Sequence, residues 1–154
     1  MSSVVIHAAG PMCGPSGERV QTEHLATLGP LSAAELARWY AETAIFISAS
    51  RYEPFGLAVL EAAQAGAALV LSDIETFREL WDGAALFFPA GDASALAAVL
   101  SRLHENEPLR RQLASRAMAR ARDWSADRMI KATLGVYAQA LSVHAGREPP
   151  RTAA

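Results

Sequence analysis

Residues 44–72 read AIFISASRYEPFGLAVLEAAQAGAALVLS. The runs at 44–49 (AIFISA) and 68–72 (ALVLS) are short, rich in β-branched and large apolar residues, and almost without polar alternation. Each reads as a strand covered on both faces. Between them, residues 55–65 carry apolar residues at helical spacing, and Gly66 supplies the stop. A doubly buried strand, a helix and a second doubly buried strand make a parallel unit, because parallel neighbours need a crossover between them. The class is therefore α/β.

The same alternation continues on both sides. Upstream, 4–8 reads as a strand ended by a Gly/Pro/Ser stretch at 10–17, and 24–28 as a weaker, edge-like strand before Gly29-Pro30. Ser32 with Glu35 forms a capping box for a helix carrying Leu36, Trp39 and Tyr40 and ending near Glu42. Downstream come a short helix at 76–81, a turn at Asp82-Gly83 and a strand at 85–88. Asp92 caps a helix from 93 to about 104, with Leu96, Val99, Leu100 and Leu103 inward. Pro108 suits the first turn of the next helix, which buries Leu109, Leu113 and Ala117 and points its arginines mostly outward. Ser125 caps a last helix with Ile130, Leu134, Tyr137 and Leu141 at helical spacing. Trp39, Trp81 and Trp124 read as core anchors. The whole is a doubly wound, Rossmann-like parallel sheet of about five strands with helices on both faces. Sheets of this kind bind ligands beyond the carboxyl ends of their strands. The loops after Ala8, Leu28, Ala49, Ser72 and Phe88 are thus the ones to search.

Composition narrows the function classes. With 154 residues, 51% apolar and 19% charged, the chain has the material for one core and is neither disordered nor a coiled coil. No apolar run reaches the roughly 18 residues of a membrane span, and residues 4–6 lack the length and basic flank of a signal peptide. Cys13 is the single cysteine, so there is no disulfide framework, no cysteine metal cage, and a cytosolic compartment is expected. A net charge of −2 argues against general nucleic-acid binding. Acids dominate from Glu18 to Asp92 and bases from Arg102 to Lys131, the one lysine among the basic residues.

The chemistry concentrates in Ser50-Arg51-Tyr52-Glu53-Pro54-Phe55-Gly56-Leu57, which opens a helix. Free amides at a helix start, with the helix dipole, favour an anion, and Gly56 has no side chain to keep one away. Glu61 lies one turn after Leu57 on the same face. A carboxylate there suits a diol, since it accepts from two adjacent hydroxyls. Glu53 reaches a second set of hydroxyls on the far side of the phosphates. Two acidic ends with an anion cradle between them describe ribose, diphosphate and sugar. The alternative is that Glu53 pairs locally and Glu61 is a solvated helix residue.

Other features carry less. The stretch at 10–17 lacks the Lys-Ser/Thr of a phosphate loop. Asp73-Ile74-Glu75 is a weak metal motif, His7, His24, His104 and His144 have no ligand spacing, and Cys13 has no evident base. No Gly-x-Ser-x-Gly elbow of a hydrolase occurs.

Residues 44–72 resemble the signature of family-four glycosyltransferases, retaining enzymes of the GT-B fold. In that family two glutamates with seven residues between them frame a Pro-Phe-Gly-Leu-like turn; here they are Glu53 and Glu61 around Pro54-Phe55-Gly56-Leu57. Leu31-Ser32 through Tyr40, Gly66, Leu69-Val70, Phe77–Glu79, Asp82-Gly83-Ala84-Ala85 and the stretch 89–92 continue the likeness, and the helix after Asp123-Trp124-Ser125 resembles the family's closing helix. Ala68 and Glu75 stand where the family often has proline.

The resemblance implies a donor-binding domain over 1–122, a closing helix over 123–144 and a flexible tail over 145–154. It implies that Glu61 holds the ribose hydroxyls of a nucleoside diphosphate sugar. Glu53 would contact the transferred sugar, as the one catalytic assignment. The amides of Phe55, Gly56 and Leu57 would meet the sugar and distal phosphate. No cofactor and no metal are implied. The likeness starts after the family's first strand and helix, which carry an Arg and a Lys for the diphosphate, so the expected partner is an upstream segment or N-terminal acceptor domain. The strand order 3-2-1-4-5-6 then lacks its strand 1, between the strands at 4–8 and 44–49, and the chain alone is expected to be inactive. A cytoplasmic location, with peripheral membrane association of the parent enzyme, fits that family. The competing class is a non-catalytic interaction or regulatory module that kept the sugar-nucleotide fold.

Overall fold

The computed structural model describes residues 4–14, 16–18 and 24–145. The chain divides into two compact units, Met1–Thr43 and Ala44–Ala154.

In the first unit, β1 (His7–Ala9) runs parallel to β2 (Ala26–Gly29), with His7 opposite Ala26. The strand expected at 4–8 begins three residues later. Val4 and Val5 are 52% and 62% exposed, so no burial drives them into the ladder. Helix α1 (Ala33–Glu42) starts at the expected capping box. Glu35 N–H donates to Ser32 Oγ at 3.4 Å, and Glu35 Oε2 accepts from Ser32 N at 2.8 Å. The Trp39 ring lies 4.7 Å from that of His7, and Tyr40 is buried.

The second unit carries β3 (Ile45–Ser48), α2 (Leu57–Gln64), β4 (Ala68–Ser72), α3 (Glu75–Trp81), β5 (Ala85–Phe88), α4 (Ala93–Glu105), α5 (Glu107–Ala121), a 3-10 turn (Arg122–Trp124) and α6 (Ala126–Ala145). Its strands form one parallel sheet in the order β3-β4-β5. Every residue of β4 is buried. On one face Ala68, Val70 and Phe88 pack with Leu103 of α4 and Leu113 of α5. Leu69 and Leu71 point the other way and are equally covered. Within each unit the strands are parallel as expected, and they form a pair and a triplet. β1 and β3 are each an edge of their own sheet; they are the strands that the order 3-2-1-4-5-6 places on either side of strand 1.

Helix ends follow local chemistry. Asp92 Oδ1 accepts from Ala95 N at 2.9 Å, as expected, while Asn106 Oδ1 accepts from Leu109 N at 2.9 Å and caps α5. Three of the arginines expected to point outward instead reach carbonyls. Arg120 donates to Leu80 and Asp82, Arg116 to Gly83 and Arg110 to Leu103. The last carbonyls of a helix have no intrahelical donor, and a long cation supplies one.

Of the three tryptophans only Trp81, 1% exposed, is a core anchor; Trp124 is 40% exposed. Along α6, Met129, Ile130, Leu134, Val136, Tyr137, Leu141 and Val143 are all more than half exposed, and Lys131 is exposed too. Among the described residues, no helix is long and apolar enough to cross a membrane. The tail expected at 145–154 lies, from residue 146 on, outside the described residues, as does the His144 side chain.

Candidate functional site

The turn at the carboxyl end of β3 is fastened first by serines. Ser72, the last residue of β4, is fully buried, and its hydroxyl donates to the Ser50 carbonyl at 2.5 Å. The Ser48 and Ser50 hydroxyls are 3.2 Å apart. A buried hydroxyl without a partner is costly, so this contact fixes where the chain leaves the sheet.

Glu53 is half-buried, and its Oε1 accepts from Gly56 N at 3.0 Å. Gly56 is left-handed, at φ 86° and ψ 62°, and serves as the N-cap of α2. A Cβ there would lie 3.1 Å from Phe77 Cε1 and 3.2 Å from Val59 Cγ2, so both the backbone angle and the space demand glycine. The left-handed residue also explains why α2 begins at Leu57 and not at the expected Phe55.

Gly56 O accepts from Leu60 N at 3.0 Å and starts the helix. The first-turn amides of Leu57, Ala58 and Val59 have no intrahelical acceptor, which makes this end attractive to an anion. Leu57, 67% exposed, and Glu61 share the open face of α2, while Val59, Leu60, Ala62 and Ala63 face the core. Phe55 is half-buried and meets the Trp124 ring edge-on, with centroids 5.6 Å apart at 78°.

Glu53, Phe55, Gly56, Leu57 and Glu61 therefore occupy one turn and the first two turns of one helix. The Gly56 amide is engaged by Glu53. Among the described residues no donor reaches the other oxygen of Glu53, which keeps its acceptor capacity. Sequence spacing did not single out Ser72, Phe77 or Trp124 as neighbours of this turn. A lone serine closing an apolar strand was the one available hint.

The acidic turn after β4 is an ion pair. Arg78 Nε and Nη2 donate to the two oxygens of Asp73 at 2.7 Å, Arg78 Nη1 lies 3.3 Å from Asp82 Oδ1, and the guanidinium stacks 3.9 Å over the Phe87 ring. Among the described residues no group of three His, Cys, Asp or Glu could hold a metal ion.

The hydrogen bonds from Arg78 hold the Asp73 carboxyl below its ordinary range. A carboxyl depressed in the folded state stabilises the fold above its unfolded pKa and loses that contribution as pH falls through the folded value. Asp73→Asn is therefore expected to flatten the pH dependence of stability below about pH 4. Denaturant unfolding across that range checks this, and superposable curves for the two proteins would refute it.

A family model for glycosyl transferases group 1 matches residues 16–120. D-inositol 3-phosphate glycosyltransferase of Nocardioides sp. is 34% identical over 113 residues, covering 72% of this chain and 25% of that protein. O-antigen chain mannosyltransferase B of Escherichia coli is 28% identical over 110 residues, covering 71% and 29%. Sucrose-phosphate synthase from Thermosynechococcus elongatus superposes with a TM-score of 0.67 at 25% identity, over 79% of this chain and 31% of that one. The Anabaena protein HepE, crystallised with UDP and glucose, superposes at 0.63 with 21% identity, over 74% and 32%, a likeness of fold. The chain spans about a quarter to a third of the length of these proteins.

Proposed function

Because the chain belongs to the family of glycosyl transferases group 1, we propose that it is the donor-binding part of a retaining glycosyltransferase that transfers a sugar from a nucleoside diphosphate. The observation that carries this reading is the head of α2. There Glu53 is locked to Gly56 N at 3.0 Å with its second oxygen open, the first-turn amides are free, and Glu61 stands one turn further on the exposed face.

In this reading the amides of Leu57 and its neighbours, at the positive end of the helix, receive the distal phosphate. They hold it more strongly as charge builds on the departing diphosphate. Glu61 accepts from the two ribose hydroxyls. The open oxygen of Glu53 accepts from a hydroxyl of the transferred sugar and fixes its orientation. Pre-paid orientation of this kind lowers the barrier without chemistry by the side chain itself. The acceptor, and the cations that neutralise the rest of the diphosphate, come from an upstream segment or acceptor domain, and the reading assigns no step to a metal. Two of the relatives are named as glycosyl- or mannosyltransferases, which supports sugar transfer as the class.

Calorimetric titration of the chain with a panel of uridine, guanosine and adenosine diphosphate sugars tests the reading. At least one is expected to bind, and more tightly than its free sugar. Absence of binding across the panel would overturn the donor-site assignment.

A further inference from the structure

The turn that carries Glu53 has little backbone structure of its own. Among the described residues, no backbone group of residues 51–55 takes part in a backbone hydrogen bond. The turn is tied at its start by the Ser72 hydroxyl, inside by the bond from Gly56 N to Glu53, and from outside by the edge-on contact between Phe55 and Trp124. The third tie comes from a firmer body. Trp124 ends the 3-10 turn that continues α5, and α5 packs against both β4 and α2 and buries Leu113, Ala117 and Ala121. The salt bridge from Arg128 to Asp123 braces the same junction from the α6 side. At 40% exposed, Trp124 adds little to the core, so a large aromatic here is not explained by packing alone.

We propose that Trp124 is a positioning residue for the proposed donor site: its ring holds Phe55, and through Phe55 it keeps residues 53–57 in the shape that locks Glu53 to Gly56 and leaves the open oxygen facing the ligand. An edge-on aromatic pair shifts such an equilibrium by a factor of about 2 to 10, enough to matter for a turn with so few other ties. The consequence for specificity is directional. Glu61 stands on α2, which is held to the core by Val59, Leu60, Ala62 and Ala63, whereas Glu53 stands on the turn. Loss of Trp124 therefore falls on the sugar end of the donor more than on the nucleotide end.

The role of Trp124 is tested on the whole chain without nucleotide, by amide hydrogen exchange in Trp124→Ala, Trp124→Phe and Phe55→Ala. The Gly56 amide is expected to exchange several-fold faster in the two alanine variants and near the wild-type rate in Trp124→Phe, while the amides of β4 keep their protection. The double variant Phe55→Ala/Trp124→Ala should be no faster at Gly56 than either single change, as for two residues acting through one contact. An unchanged Gly56 rate, or equal acceleration at Gly56 and in β4, would overturn the proposal, the latter by making Trp124 a plain stability residue. A second arm rests on the donor reading: Trp124→Ala should weaken a bound nucleotide sugar several-fold more than its bare nucleotide. Equal weakening of both overturns the directional claim. A wild-type chain that takes no nucleotide sugar counts against the donor reading, and the exchange data still decide what Trp124 does.

Discussion

Replacing Glu61 by alanine is expected to weaken binding of a nucleoside diphosphate about tenfold or more, while replacing Glu53 spares the bare nucleotide and weakens the sugar nucleotide. A hydrogen bond to a charged group contributes about 1.5–3 kcal/mol, and a tenfold change in affinity corresponds to roughly 1.4 kcal/mol, so one lost carboxylate contact is visible. Glu61 lies on the exposed face of α2, and among the described residues its side chain makes no hydrogen bond or ion pair, so its effect reads as binding. Glu53 is different, because Oε1 is bonded to Gly56 N. Glu53→Ala removes that bond along with the ligand contact and loosens the start of α2. Glu53→Gln separates the two effects: the amide oxygen still accepts from Gly56 N, while the open carboxylate oxygen is replaced by an NH2 that donates and no longer accepts from the sugar hydroxyl. Calorimetry with a nucleoside diphosphate and its sugar conjugate checks the pattern. Equal losses for both ligands in both alanine variants would remove the division of roles.

Phe77→Ala is expected to be the most damaging change near the site. Phe77 is fully buried beneath the turn, and truncating a buried phenylalanine costs about 3–5 kcal/mol. For a unit of this size that lowers the melting temperature by on the order of 10 °C. The same ring is what a Cβ on Gly56 would strike first, at 3.1 Å. Gly56→Ala suffers twice, from the left-handed backbone, at roughly 1–2 kcal/mol, and from that clash. Removing Phe77 relieves that contact, but neither the one with Val59 Cγ2 at 3.2 Å nor the backbone strain. The double variant should therefore be less destabilised than the sum of the singles. Thermal unfolding followed by circular dichroism measures all three, and strict additivity would show that Phe77 does not shape the turn.

Of the runs read as doubly buried strands, two were legible to the residue, while the one at 44–49 is a strand only over Ile45–Ser48 and half-buried throughout. β4 and β5 occupy 68–72 and 85–88 as expected; every residue of β4 is buried, as are both ends of β5. Caps made by one side chain to its own helix were legible too, as at Ser32 with Glu35 and at Asp92. The start of α2 was misplaced by two residues because Pro54 looks like a first-turn residue. The left-handed conformation of Gly56 decides the matter, and the ring that a Cβ there would meet belongs to Phe77, some twenty positions away. Spacing places Arg110, Arg116 and Arg120 on a helix face but says nothing of the carbonyls of other elements waiting there. The division of five strands into two sheets was equally hidden, since each strand's sequence reports burial and not which edge it presents. At the site, residue types and order were readable from 53 to 61. The ties that hold them, from Ser72, Phe77 and Trp124, come from distant segments.

Thirteen of the fourteen basic side chains are arginines, and the single lysine, Lys131, stands exposed on α6, a helix that gives no residue to the core among those described. Amine-selective reagents therefore find one side chain on the whole chain. A dye or a tether on that side chain reports on α6, and amine chemistry leaves the side chains of the sheet, of the turn at Glu53 and of the open face of α2 untouched.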